Sequence, residues 1–254
     1  MPRTPIVGGN WKMNTDLAQA GTLAAEVRHR LGSQRGCDVV VFPPFPFLRL
    51  AVERLDGCRV EVGGQDLATE AKGAFTGAVA GAMIASCGAP WVLIGHSERR
   101  SVFGEGDAVV ARKLRAALAA GLRPVLCVGE SKGEREAGQT FVVVKRQLDS
   151  ALHGLTAAAL GSLVIAYEPV WAIGTGLVAS PAQAQEVHAY VRGAVADLLG
   201  RPFADAVRLQ YGGSVKADNA AGLWVQPDID GFLVGGASLQ AEDFAAIVRS
   251  RRTD

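Results

Sequence analysis

The sequence predicts a closed barrel of eight parallel strands alternating with helices, a (β/α)8 architecture, and three observations predict it. Eight short runs rich in Val, Ile and Leu recur along the 254 residues, each bounded by Gly, Pro or polar side chains. Segments with helical apolar spacing lie between them. No charge-rich linker or composition break divides the chain, so residues 1–254 are expected to form one domain. Closure gives every strand two neighbours and removes edges, which favours a barrel over an open doubly wound sheet.

The strand candidates begin near Ile6, Val39, Arg59, Trp91, Arg123, Leu163, Val207 and Asp230. Between the first two, Leu17, Ala20, Ala24, Val27 and Leu31 are spaced for one apolar helix face, with Glu26, Arg28 and Arg30 on or near the wet side. One helix start is especially legible: Ser180 caps it, Pro181 suits its first turn, and Gln183 completes a capping box, so a helix is expected from about Pro181 to Leu199. Many of the 31 glycines cluster at the ends of apolar runs, punctuating the repeat.

Composition narrows the function. Hydrophobic residues make up 49% and charged residues 20%, with a net charge of +1, so nothing calls for nucleic acid or another polyanionic partner. Cys37, Cys58, Cys87 and Cys127 form no CxxC pair and have no His neighbours at ligand spacing, which speaks for reduced thiols in the cytoplasm and against a metal site. The N-terminus lacks a basic region followed by a long apolar run, and no apolar stretch reaches the roughly 18 residues of a membrane span. There is no P-loop and no GxGxxG after a strand, so the chemistry is expected to need no cofactor and no metal.

In barrels of this kind chemistry gathers at the carboxyl ends of the strands. Asn10 and Lys12 follow the first run, Gln65 the third, His96 and Glu98 the fourth, Glu130 the fifth and Glu168 the sixth. Tyr211 to Ser214 and the pair Gly235 and Gly236 follow the last two, and all of these are expected to share one mouth. Pro169 holds Glu168 extended and aims it off the strand end, where a base belongs; an arbitrary Glu there is ordinarily a solvated carboxylate. The following residues, Val170 to Gly176, combine bulky apolar groups with two glycines, which is the composition of a lid. His96 precedes a polar segment able to open a short helix, and a helix start disfavours imidazolium. An uncharged imidazole can donate to a carbonyl or enediolate oxygen and shuttle protons. Lys12 and Asn10, two residues apart, are expected on the same face of the first strand, a cation and an amide suited to an oxyanion or a phosphate. Gly174 with Gly176, Gly212 with Gly213 before Ser214, and Gly235 with Gly236 offer backbone N–H groups to an anion, and together they point to a phosphorylated substrate.

At these same residues the chain resembles the triosephosphate isomerase family. Gly9 to Asn14 reads GNWKMN, Ile94 to Arg100 IGHSERR, Ala166 to Gly176 AYEPVWAIGTG, Tyr211 to Val215 YGGSV, and Gly231 to Leu239 GFLVGGASL, in the family's order across nearly the whole chain. The resemblance implies a single TIM barrel that interconverts D-glyceraldehyde 3-phosphate and dihydroxyacetone phosphate, with Glu168 as base, His96 as electrophile and proton shuttle, Lys12 as cation and Asn10 in support. It implies a phosphate held at Gly174, Ser214, Gly235 and Gly236, with Ser214 and Tyr211 gripping the closed lid near Gly176 and Ala179. It further implies a homodimer in which the loop Lys72 to Gly77, KGAFTG, enters the neighbouring subunit and Thr76 braces Asn10 and Lys12. Three departures stand out. Ala78 replaces the usual Glu, removing a partner for Arg99; Asp66 replaces the usual Asn; Leu177 and Val178 replace the commoner Lys and Thr at the lid's trailing hinge. Glu98 and Cys127 match family positions, in supporting roles. The readings that compete are an isomerase for another small sugar phosphate and a non-catalytic phosphate-binding relative.

Overall fold

The computed structural model describes residues 3–173 and 178–251, and its strands close on themselves in the order β1 to β8, every pair parallel. The strands are β1 (Ile6–Asn10), β2 (Asp38–Phe42), β3 (Val60–Gly64), β4 (Trp91–Ile94), β5 (Arg123–Val128), β6 (Val164–Tyr167), β7 (Arg208–Tyr211) and β8 (Gly231–Val234). Each begins within one residue of its expected start.

The apolar runs lack polar alternation because both strand faces are covered. One face fills the barrel with Ile6, Val40, Phe42, Leu93, Val125 and Leu233, among others. The other packs against the surrounding helices through residues such as Val7, Val39, Val92 and Ile165. In the first helix, Leu17–Leu31, the residues Ala20, Leu23, Ala24, Val27 and Leu31 are buried, while Leu17, placed on the apolar face by its spacing, is 65% exposed at the first turn. The helix Pro181–Leu199 starts where Ser180 predicts: its side chain accepts from the Gln183 N–H at 3.2 Å, and the Gln183 side chain accepts from the Ser180 N–H at 2.9 Å.

The strand ladder continues past the strand ends at the mouth. Trp11 N–H donates to Phe42 O, Glu168 N–H to Val128 O and Gly212 N–H to Tyr167 O, at 3.1, 2.8 and 2.7 Å. Residues just beyond the strands are therefore held as firmly as the strands themselves. Among the described residues no helix is long and apolar enough to cross a membrane. All four cysteines are free thiols, and burial pushes Cys37 up to about 12 and Cys127 well above the usual range. Cys127 is part of the barrel interior.

Candidate active site

Asn10, Lys12, His96, Glu168, Ser214, Gly235 and Gly236 line one cavity of about 270 Å³ at the carboxyl end of the barrel. The eighth expected site residue, Gly174, lies outside the described residues, as do Gly176 and Leu177.

Glu168 is 2% exposed, and its carboxylate is held on both oxygens. Oε2 accepts from the Ser97 N–H at 2.8 Å and Oε1 lies 3.0 Å from His96 Nε2. Two glycines make room for this residue. A Cβ on Gly129 would fall 1.9 Å from the Glu168 carbonyl oxygen, and one on Gly212 would fall 2.8 Å from Glu168 Cγ.

His96 caps the short helix Ser97–Ser101: its Nδ1 accepts from the Glu98 N–H at 3.3 Å. An accepting Nδ1 carries a lone pair, which leaves the ring proton on Nε2, the nitrogen that faces Glu168. The helix start expected after His96 thus sets the tautomer of the ring as well as its position.

Lys12 reaches the cavity by a different route from the one its spacing suggests. β1 ends at Asn10, and Lys12 adopts a left-handed backbone with φ of 52°, so strand alternation does not place the two side chains together. The Asn10 side chain instead accepts from the Lys12 N–H at 2.9 Å. Gln65 Nε2 donates to the carbonyls of Lys12 and Phe42 at 2.8 and 2.9 Å. These bonds hold a conformation that costs a non-glycine residue about 1–3 kcal/mol. The Lys12 ammonium is ion-paired with Glu98 at 2.6 Å.

Not every polar residue at a strand end opens into the cavity. Gln65 fastens the turn at Lys12, and Glu130 is fully buried behind the mouth. Glu130 accepts from the Tyr167 hydroxyl at 3.1 Å and from Trp171 Nε1 at 2.9 Å, so it ties the leading end of the lid segment to β6. A Tyr next to a buried carboxylate resists ionisation, and burial together with Glu130 pushes the Tyr167 phenol far above its usual range. Ser214 Oγ donates to the Ala172 carbonyl at 2.8 Å, an attachment at the lid's leading side; its expected contact near Gly176 lies outside the described residues. Tyr211 faces the backbone of Ala179, and burial raises its phenol to about 12.

Sequence reasoning missed Ser97, which supplies the backbone N–H under Glu168, and Ser238, whose buried hydroxyl bonds the carbonyls of Gly235 and Asn10 at 2.7 and 3.3 Å. Both lie within motifs already noticed, but neither carries a signal separating it from ordinary serine. At Arg99 the loss of the usual Glu at position 78 is met within the chain. Arg99 bonds Glu105 and lies 3.2 Å from Asp66, while Lys113 bonds the same two carboxylates at 2.6 and 2.5 Å. Burial alone would raise the Glu105 carboxyl, but the bonds from Arg99 and Lys113 outweigh it and hold the group low. At Asp66 burial prevails and the carboxyl is raised. Among the described residues no three His, Cys, Asp or Glu side chains are grouped to hold a metal ion.

The family model described as triosephosphate isomerase matches residues 5–251. The chain belongs to the triosephosphate isomerase family. The triosephosphate isomerase of Thiobacillus denitrificans is 52% identical over 248 residues, covering 98% of each chain. That of Herpetosiphon aurantiacus is 51% identical over 247 residues, covering 97% of this chain and 99% of the relative. That of Roseiflexus sp. is 48% identical over 246 residues, covering 97% of each. The match runs over all eight strands of the closed barrel.

Proposed function

We propose that the chain interconverts D-glyceraldehyde 3-phosphate and dihydroxyacetone phosphate, with Glu168 as the base and His96 as the electrophile. The observation that carries this reading is the 3.0 Å approach of Glu168 Oε1 to His96 Nε2, in a small cavity whose wall includes Gly212, Gly213, Gly235 and Gly236. A carboxylate and an N–H donor side by side suit a substrate in which a C–H acid and the carbonyl that acidifies it are adjacent.

The chemistry follows from these positions. The substrate carbonyl takes the Nε2–H of His96, displacing Glu168 Oε1, and the carboxylate gives up the Ser97 N–H as it turns to the carbon. It removes a proton next to the carbonyl, leaving a cis-enediolate whose negative oxygen is stabilised by Nε2–H and the Lys12 ammonium. His96 moves a proton between the two oxygens, in the protonation state for which this family is the usual illustration. Protonated Glu168 then returns its proton to the neighbouring carbon, so no proton is gained or lost. The phosphate rests on backbone N–H groups at Ser214, Gly235, Gly236 and Gly174, with Asn10 steadying Lys12. The lid segment keeps water out, a use of loop closure for which this family is also a familiar example, and stops the enediolate from expelling phosphate. No cofactor enters the sequence of steps.

A coupled assay with both triose phosphates in chelator tests the proposal. Glu168→Gln removes the base, and a positioned acid–base group contributes on the order of 10² to 10⁴-fold, so the rate should fall by that factor. An unchanged rate rejects the assignment. Turnover of larger sugar phosphates would favour a different isomerase, and a wild-type chain that binds phosphate without turnover would favour a non-catalytic relative.

We further propose that residues 1–254 act as one barrel domain in a cytoplasmic homodimer formed through the loop carrying Thr76. Residues 71–78 are all exposed in the single chain, and Met13, Phe75, Val102 and Phe103 present 96, 48, 73 and 64% of their surfaces to solvent. Large exposed apolar groups and an exposed loop suit burial against a second copy. Four free thiols suit a reducing compartment.

A further inference from the structure

The charge of the cavity leaves one residue unaccounted for. Its lining carries three formal charges at neutral pH: Lys12, Glu168 and Lys216. Lys12 is not a free cation, because Glu98 sits on its ammonium at 2.6 Å. Those two cancel, and Glu168 contributes one negative charge. Without Lys216 the mouth would present a net negative charge to a phosphate monoester that is itself a dianion. The backbone N–H groups of the glycine wall offer partial charges only.

Lys216 is placed to reverse that balance. It follows Ser214 and Val215 directly, at the start of the helix Ala217–Trp224, and lines the cavity on the glycine side. It is exposed, and among the described residues it forms no ion pair. Its backbone is fixed independently of its side chain, since its N–H donates to Asn219 Oδ1 at 2.9 Å. Among the described residues the ammonium is therefore without a carboxylate partner, at a cavity whose wall includes Gly212, Gly213, Gly235 and Gly236.

We propose that Lys216 is a substrate-binding residue for the phosphate end of the ligand, supplying the uncompensated positive charge that draws the dianion into the cavity and holds it against the Ser214, Gly235 and Gly236 backbone. The inference rests on the triose phosphate reading for its substrate but not for its ligand chemistry, which is that of any small phosphate. Lys216 answers charge the substrate already carries. Interactions equal in ground and transition states alter KM and leave kcat in place.

The experiment compares wild type, Lys216→Gln, Lys216→Arg and the control Lys145→Gln, whose lysine is paired with Asp149 on an outer helix. Lys216→Gln should raise KM for glyceraldehyde 3-phosphate roughly threefold to tenfold at low ionic strength, with kcat held and the gap closing as salt screens the charge. Inorganic phosphate, titrated calorimetrically, should bind Lys216→Gln more weakly by a similar factor. Lys216→Arg should restore both quantities, and Lys145→Gln should match wild type. Equal KM, salt dependence and phosphate affinity in wild type and Lys216→Gln overturn the inference while leaving the isomerase reading intact. A wild-type chain without turnover sinks that reading, yet weaker phosphate binding by Lys216→Gln would still uphold the inference. Equal losses in Lys145→Gln would show an effect of overall charge and overturn it.

Discussion

Replacing Gly212 with Ala adds one methyl group directly against the base. The new Cβ would fall 2.8 Å from Glu168 Cγ and 3.2 Å from the Tyr167 carbonyl oxygen, where ordinary contact begins at 3.4 Å. The Gly212 backbone lies outside the left-handed region, so alanine itself meets no backbone strain. The Tyr167 carbonyl cannot retreat, because the Gly212 N–H holds it at 2.7 Å. The side chain of Glu168 must give way instead, by about 0.6 Å at Cγ and about 1 Å at the carboxylate, and a misplacement of that size costs on the order of 10²-fold. We expect kcat to fall about 10- to 100-fold, equivalent to roughly 1.4–2.7 kcal/mol of transition-state stabilisation. The same crowding should lower stability by about 1–3 kcal/mol, so a thermal melt must accompany the coupled assay. A folded variant with wild-type kcat would refute the reasoning, since it would mean that the position of the Glu168 carboxylate does not govern the rate.

Arg192 is buried and bonds Asp228 and Asp230 at 2.6 and 2.9 Å, so Arg192→Met should cost about 3–5 kcal/mol in urea unfolding at neutral pH. Burial would raise the Asp228 carboxyl, but Gln185 and Arg192 hold it low; its stabilisation is present above the usual carboxylate range and lost as pH falls, so the penalty should shrink below about pH 4. His188 is fully buried beside Tyr167, and burial lowers its pKa, so the unfolded chain takes up a proton that the folded chain refuses. Stability should therefore decline as pH drops below about 6.5, by at most about 1.4 kcal/mol per pH unit from this group, and His188→Gln should flatten that slope in pH-resolved denaturation. Thr76→Arg, at the exposed loop, should convert a dimer to monomer in sedimentation at micromolar concentration; an unaltered dimer would place the interface elsewhere.

What was legible in advance was local or periodic. Ser180 and Gln183 announce their helix because both bonds of the box span three residues. The strands were legible because their apolar runs are buried on both sides. Lys12 was not, because its turn is held by Gln65, 53 positions away, and pattern within β1 carries no trace of that bond. Glu130 looked like the other polar residues at strand ends, yet its direction is decided by Tyr167, Trp171 and Thr140. The candidate site residues are picked out by motifs, and the family resemblance supplies their expected roles. The partners that orient them, such as the Ser97 N–H, belong to the folded backbone and have no residue-type signature.

The carboxylates around Arg99 and Lys113 carry a consequence for assembly. Asp66 and Glu105 neutralise both cations from inside the same polypeptide. In the proposed homodimer these two cations therefore ask no carboxylate of the second copy.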